Sequence, residues 1–82
     1  MRIDKFLKVS RLIKRRTVAK ELADAGRIEI NGRVAKSGST VNVNDKITIH
    51  YGSRVINVAV VNLNENAKKD QSKEMYELLS ES

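Results

Sequence analysis

The chain has no cysteine, which excludes a disulfide scaffold and a thiolate metal site. It has one histidine, His50, and a general base needs an orienting acid and a pocket that nothing in the sequence supplies. A solvent-facing strand position explains that residue better. Aromatic residues make up only 4% of the chain, so a stacking platform for single-stranded nucleic acid is not expected. Phe6 falls on an apolar helical stripe, and Tyr51 falls on the inward phase of a strand. Met1 to Lys20 contains no apolar run long enough for a signal peptide or a membrane span. The expectation is a cytoplasmic protein with no membrane contact, no metal and no cofactor, and not an enzyme. At 82 residues there is room for one hydrophobic core.

What is present is positive charge, and it is unevenly placed. Residues 1–36 carry eleven Lys and Arg against four acids, net +7, and residues 37–82 carry five against six, net −1, together the +6 of the whole chain. A positive field confined to one half is the footprint of a polyanionic partner, whereas a merely solvated surface mixes the signs more evenly.

Hydrophobic periodicity divides the chain. Ile3, Phe6 and Leu7 make one face of a first helix over about 2–9, with Arg2, Lys5 and Lys8 on a flank away from it. Leu12 and Ile13 anchor a connection. A second helix follows over about 17–25, with Val18, Ala19, Leu22 and Ala23 as its buried stripe and Gly26 as a left-handed cap. Beyond Gly26 the period drops to two. Ile28 and Ile30 lead into Asn31-Gly32, a strong hairpin signal, and Val34 continues the return strand. A polar loop carries Lys36 and Gly38, and Asn44-Asp45 makes a second turn. Ile47, Ile49 and Tyr51 then alternate with polar residues, and Gly52-Ser53 turns into the Val- and Ile-rich stretch 54–61. The fold class is α+β, two or three short helices packed on a small, strongly twisted, mostly antiparallel sheet. Residues 1–63 read as the binding domain. Residues 64–82 read as a C-terminal tail, an amphipathic helix on the spacing of Met75, Tyr76, Leu78 and Leu79.

Function is expected on the two helices. A helix N-terminus presents unsatisfied N–H groups and a positive dipole end to an anion. Arg2 stands at one such end and Arg15-Arg16 at the other, with Lys5, Lys8 and Lys20 extending the positive flank. The guanidinium fork holds a phosphate through two hydrogen bonds and stacks on an unpaired base. No helix presents the side chains of a DNA major-groove reader, so the expected partner is folded RNA, held through phosphate and sugar. Arg11 widens the field, and Lys36 is either a contact or a plain loop charge. Asp4 reads as a helix N-terminal charge.

Taken together, Arg2-Ile3-Asp4-Lys5-Phe6-Leu7, Arg15-Arg16 with Ala19 and Leu22, Gly26-Arg27-Ile28, Ile30-Asn31-Gly32, Lys36 and Asn44-Asp45 resemble the S-four RNA-binding domain. That domain is named after a primary rRNA-binding protein of the small ribosomal subunit, and the likeness covers about residues 1–50. Two positions depart from the pattern. Arg15 stands where a capping serine is common, and Ser37-Gly38 stands where a proline-serine pair is common. The resemblance implies the alpha-L RNA-binding fold, with Arg2, Lys5, Arg15, Arg16 and Lys20 on the RNA-contacting positions. Most such domains are appendages of RNA-modifying or aminoacylating enzymes. The opening Arg2 to Lys20 and the stretch Lys73 to Tyr76 are most similar to stand-alone ribosome-associated quality-control proteins.

That likeness implies a protein that binds large-subunit rRNA and an obstructed peptidyl-tRNA, beside the factor that recruits alanyl-tRNA for alanine tailing. No large exposed apolar surface demands a dimer, so a monomer is expected. Three alternatives stay open: a heat-shock or ribosome-assembly factor of the same fold, the binding arm of an enzyme, and an architectural DNA-binding protein.

Overall fold

A computed structural model describes all residues from Met1 to Ser82. Helix α1 spans Ile3–Val9 and α2 spans Arg16–Asp24. Five strands follow: β1 Ile28–Ile30, β2 Arg33–Val34, β3 Lys46–Tyr51, β4 Arg54–Val60 and β5 Tyr76–Glu81, with one 3₁₀ turn at Ser72–Met75 before the last. The strands form one antiparallel sheet in the order β2-β1-β3-β4-β5.

The helical stripes lie where their spacing puts them. Ile3, Phe6 and Leu7 of α1 are fully buried, as are Ala19 and Ala23 of α2, with Val18 and Leu22 packed at the margin. They meet Ile28, Ile47, Ile49, Val58 and Val60 of the sheet in a single core. The connection from α1 to α2 is held by Ile13, which is buried and whose N–H donates to the Leu7 carbonyl (3.1 Å).

Turn chemistry sets the registers. Asn31 and Gly32 both have positive φ (53° and 82°), as a type I′ turn demands, and Ile30 pairs with Arg33 across them. Between β3 and β4 only Gly52 is left-handed (63°), the pattern of a II′ turn that pairs Tyr51 with Arg54. Gly26 follows α2 at φ 78°, where it ends the helix.

Two expectations are corrected. Residues 76–81 are a strand, not part of an amphipathic helix. Met75 is buried in the core, but Leu78 and Leu79 remain 53% and 47% exposed. Helical spacing loses here to the open edge of β4, whose N–H and C=O groups need partners. β5 supplies them from Val60↔Tyr76 to Ile56↔Glu81, and Val55 and Ser82 exchange both backbone hydrogen bonds (2.8 and 2.9 Å). The register skips Leu79 beside Asn57 and Val58, a β-bulge. The second correction concerns Tyr51. It shares the inward phase of Ile47 and Ile49 but is 41% exposed, because it ends β3 beyond the packed core.

The segment before β5 is tied down as well. Ser72 is buried, and its hydroxyl donates to the Val9 carbonyl at the end of α1 (2.9 Å) while lying 3.1 Å from that of Lys68.

Candidate nucleic-acid interface

Asp4 organises the site. It sits in the first turn of α1 beside the apolar stripe, and its side chain is only 4% exposed. A buried carboxylate needs donors, and it has three sources. The Lys5 N–H donates to Oδ1 (2.8 Å). Arg2 approaches through Nε (3.3 Å) and Nη2 (3.4 Å), and Arg16 through Nε (3.4 Å) and Nη2 (3.5 Å). Both guanidinium groups remain about half exposed. Each uses one edge on Asp4 and turns the rest of its five donors outward. One residue from each helix is thereby fixed at a single point of the surface.

The loop after Lys36 closes the other side. The Ile3 N–H donates to the Ser39 carbonyl (2.8 Å), that of Asp4 to the Ser37 carbonyl (3.4 Å), and the Ser37 N–H to Asp24 Oδ1 on α2 (3.3 Å). Arg2 lies against this loop, with its Nη2 3.8 Å from where a side chain at Gly38 would begin. These bonds revise the expectation of an open helix terminus. The first amides of α1 are already satisfied within the chain, so an anion there meets the arginine side chains and not backbone N–H groups. At α2, Val18 and Ala19 donate back to the Arg15 carbonyl, while the amides of Arg16 and Thr17 meet no acceptor on the chain.

The remaining cations fall into two sets. Lys20 follows Arg16 by four residues and shares its face of α2, and Lys36 is exposed on the adjoining loop. Lys5 reaches Glu65 (3.2 Å) in an exposed pair of small energetic weight. Lys8 is exposed on α1 with no ion pair. Arg11 and Arg15 lie elsewhere. Both line a depression of about 560 Å³ with Lys14, Tyr51 and Arg54, so the neighbours Arg15 and Arg16 serve different surfaces.

Asp4, read from the sequence only as a helix N-terminal charge, is the residue that gathers the two arginines. Its signal was present in its position beside the Ile3, Phe6 and Leu7 stripe, where a carboxylate is covered and must find cations. Among the titratable groups, no cluster of His, Cys, Asp and Glu is arranged to hold a metal ion. His50 pairs with Glu29 on the neighbouring strand (2.9 Å).

Comparison with known proteins gives the family. A family model for the S4 domain matches residues 1–47. A protein of Listeria innocua named RQC P-site tRNA stabilizing factor is 54% identical over 99% of this chain and 88% of its own length. A Bacillus subtilis protein of the same name is 53% identical over 99% of this chain and 94% of its own. Among solved structures, heat shock protein 15 of Vibrio cholerae superposes with a TM-score of 0.89 at 22% identity, covering 98% of this chain and 82% of that one, a likeness of fold. Matched by the model over more than half its length and by these relatives over nearly all of it, the chain belongs to the S4 domain family of RNA-binding proteins, in the branch whose members are named RQC P-site tRNA stabilizing factor.

Proposed function

We propose that this protein is a non-catalytic ribosome quality-control factor. It binds the large ribosomal subunit through rRNA and holds the obstructed peptidyl-tRNA in place while alanine residues are added to the stalled chain. It acts as a monomer, in the cytoplasm and on the ribosome, beside the factor that recruits alanyl-tRNA, and needs no metal or cofactor. The observation that carries this reading is the pair of half-exposed arginines, Arg2 and Arg16, set by one buried carboxylate. Such a pair binds backbone phosphate without reading base sequence, which suits a protein that must grip folded RNA. The name of the relatives, which refers to P-site tRNA, supports this choice of particle.

The experiment is to recover the tagged protein from lysate and resolve bound particles on a sucrose gradient. The expected result is co-migration with large subunits that carry tRNA, lost on Arg2→Ala and Arg16→Ala. A second reading, a heat-shock or assembly factor for rRNA, is favoured by the 29% identity of the whole chain to heat shock protein 15 of Escherichia coli, of which it covers 62%. Migration with rRNA precursors lacking tRNA would select it.

A further inference from the structure

Away from Asp4, a second group of cations without ion-pair partners lies around the other end of α1. Arg11, Lys68, Lys69 and Lys73 line a depression of about 710 Å³ with one acid, Asp70. None of the four is within ion-pair distance of an acid, whereas Arg2, Lys5, Arg16 and Arg54 all are. The lysines come from the segment that sequence reasoning left as a tail. Ser72 and Met75, both buried, pin that segment to α1 and the core, so the lysines are held beside Arg11.

Arg11 also lines the depression that holds Lys14, Arg15 and Tyr51, so the two depressions meet at one shared residue. It does so in a left-handed conformation (φ 62°) directly after the cap of α1, a position where glycine is the residue without strain. Each of the chain's two tyrosines lines one of the two depressions. Arg54, at the far wall, is engaged by Glu81 and contributes less.

We propose that the two depressions act as one trough, a second RNA-backbone site separate from the Asp4 site. Arg11, Lys14 and Arg15 take phosphates on one side, Lys68, Lys69 and Lys73 take them on the other, and Tyr51 offers its exposed ring to an unpaired base. Arg2 and Ser10 flank α1, so the two sites stand about 12 Å apart along its axis. That spacing lets one small body grip two RNA segments, as a protein that bridges rRNA and tRNA must. An acidic peptide would satisfy the lysines, but it has no use for an exposed ring beside two guanidinium groups. RNA uses both. The proposal rests on the reading of the chain as an RNA-binding protein, and not on the role given to Arg2 and Arg16.

The test uses the full chain with two short RNA stem-loops, one carrying a donor fluorophore and one an acceptor, and reads energy transfer when both sit on one protein. The wild type is expected to give the transfer signal. K68Q/K69Q/K73Q is expected to lose it while still binding one stem-loop, and the salt slope of total binding should fall by about 2 to 3. The three lysines are exposed and unpaired, so circular dichroism should stay that of the wild type. R2Q/R16Q, which keeps donors for Asp4, is expected to lose the signal and also retain one stem-loop. Unchanged transfer and salt slope in the lysine variant would overturn the proposal. So would a wild type that takes up only one stem-loop and a lysine variant that binds it equally well, or displacement of RNA from the trough by a polyglutamate peptide at equal concentration. If R2Q/R16Q still binds two stem-loops while the lysine variant binds one, the reading of the Asp4 site fails and the trough stands.

Discussion

Arg16 on α2 meets Asp4 on α1 at 3.4 and 3.5 Å, with the carboxylate buried and the guanidinium half exposed. The same carboxylate holds Arg2. As stabilising ion pairs these contacts count for little, because half-exposed arginines are screened by solvent. Their effect is to restrict two long side chains before RNA arrives. Asp4→Asn sets two effects against each other. It removes a negative charge next to the phosphates, which favours binding, and it frees two arginines, each costing about 0.5–1.5 kcal/mol to order again on binding. Ordering two side chains outweighs one screened charge. The expected outcome is weaker RNA binding by roughly tenfold, measured by fluorescence anisotropy at fixed salt. Tighter binding would mean that Asp4 acts only by repulsion.

Arg2→Ala and Arg16→Ala should each weaken RNA binding by about 1–3 kcal/mol, the scale of lost charge-assisted hydrogen bonds, with the fold intact. Either arginine alone still covers Asp4. The double variant leaves a buried carboxylate with only the Lys5 N–H, so its stability loss should exceed the sum of the single losses. A double-mutant cycle by urea denaturation reads this coupling, and simple additivity would argue that Asp4 does not link the pair.

Phosphate contact also sets the response to salt. If about six phosphates are neutralised, affinity should drop on the order of 10³-fold or more between about 50 and 200 mM salt. A titration series at several salt concentrations gives the slope, and a flat response would exclude backbone binding as the main attraction.

Much of the fold is legible in local pattern. The Ile3, Phe6 and Leu7 stripe, the Gly26 cap, the Asn31-Gly32 hairpin and the alternation in 46–60 each carry their own signal within a few residues, and apart from the exposed Tyr51 each lies where that signal puts it. What failed is non-local. β5 depends on an edge of β4 about twenty residues away, and nothing in the spacing of Leu78 and Leu79 announces that edge. The same holds for the site. Arg2, Arg15 and Arg16 are visible as charge, but the carboxylate that gathers two of them and sends the third to another surface requires knowing how α1 and α2 cross.

The correction at the C-terminus has its own test. Met75 is fully buried and ends the 3₁₀ turn immediately before the strand that covers the β4 edge. Met75→Ala should cost about 2–5 kcal/mol of stability, as for other large-to-small changes in a core. A loosely attached tail would cost almost nothing. Hydrogen exchange at the Val55 amide, which donates to Ser82, should speed up in the same variant and report loss of β5 directly.

Arg11 separates stability from function. Its left-handed backbone costs about 1–2 kcal/mol relative to the right-handed region, a cost that glycine does not carry. Glycine in turn loses more conformational freedom on folding, about 0.4–1 kcal/mol. The folded state of Arg11→Gly should therefore be as stable as the parent or up to about 1.6 kcal/mol more so. RNA binding should weaken, because both depressions lose the one cation they share. Urea denaturation and anisotropy on the same sample decide the matter. A variant that is more stable and binds less shows that the strained arginine is kept for the RNA. A variant that is less stable shows instead that its side chain is part of the packing between α1 and α2.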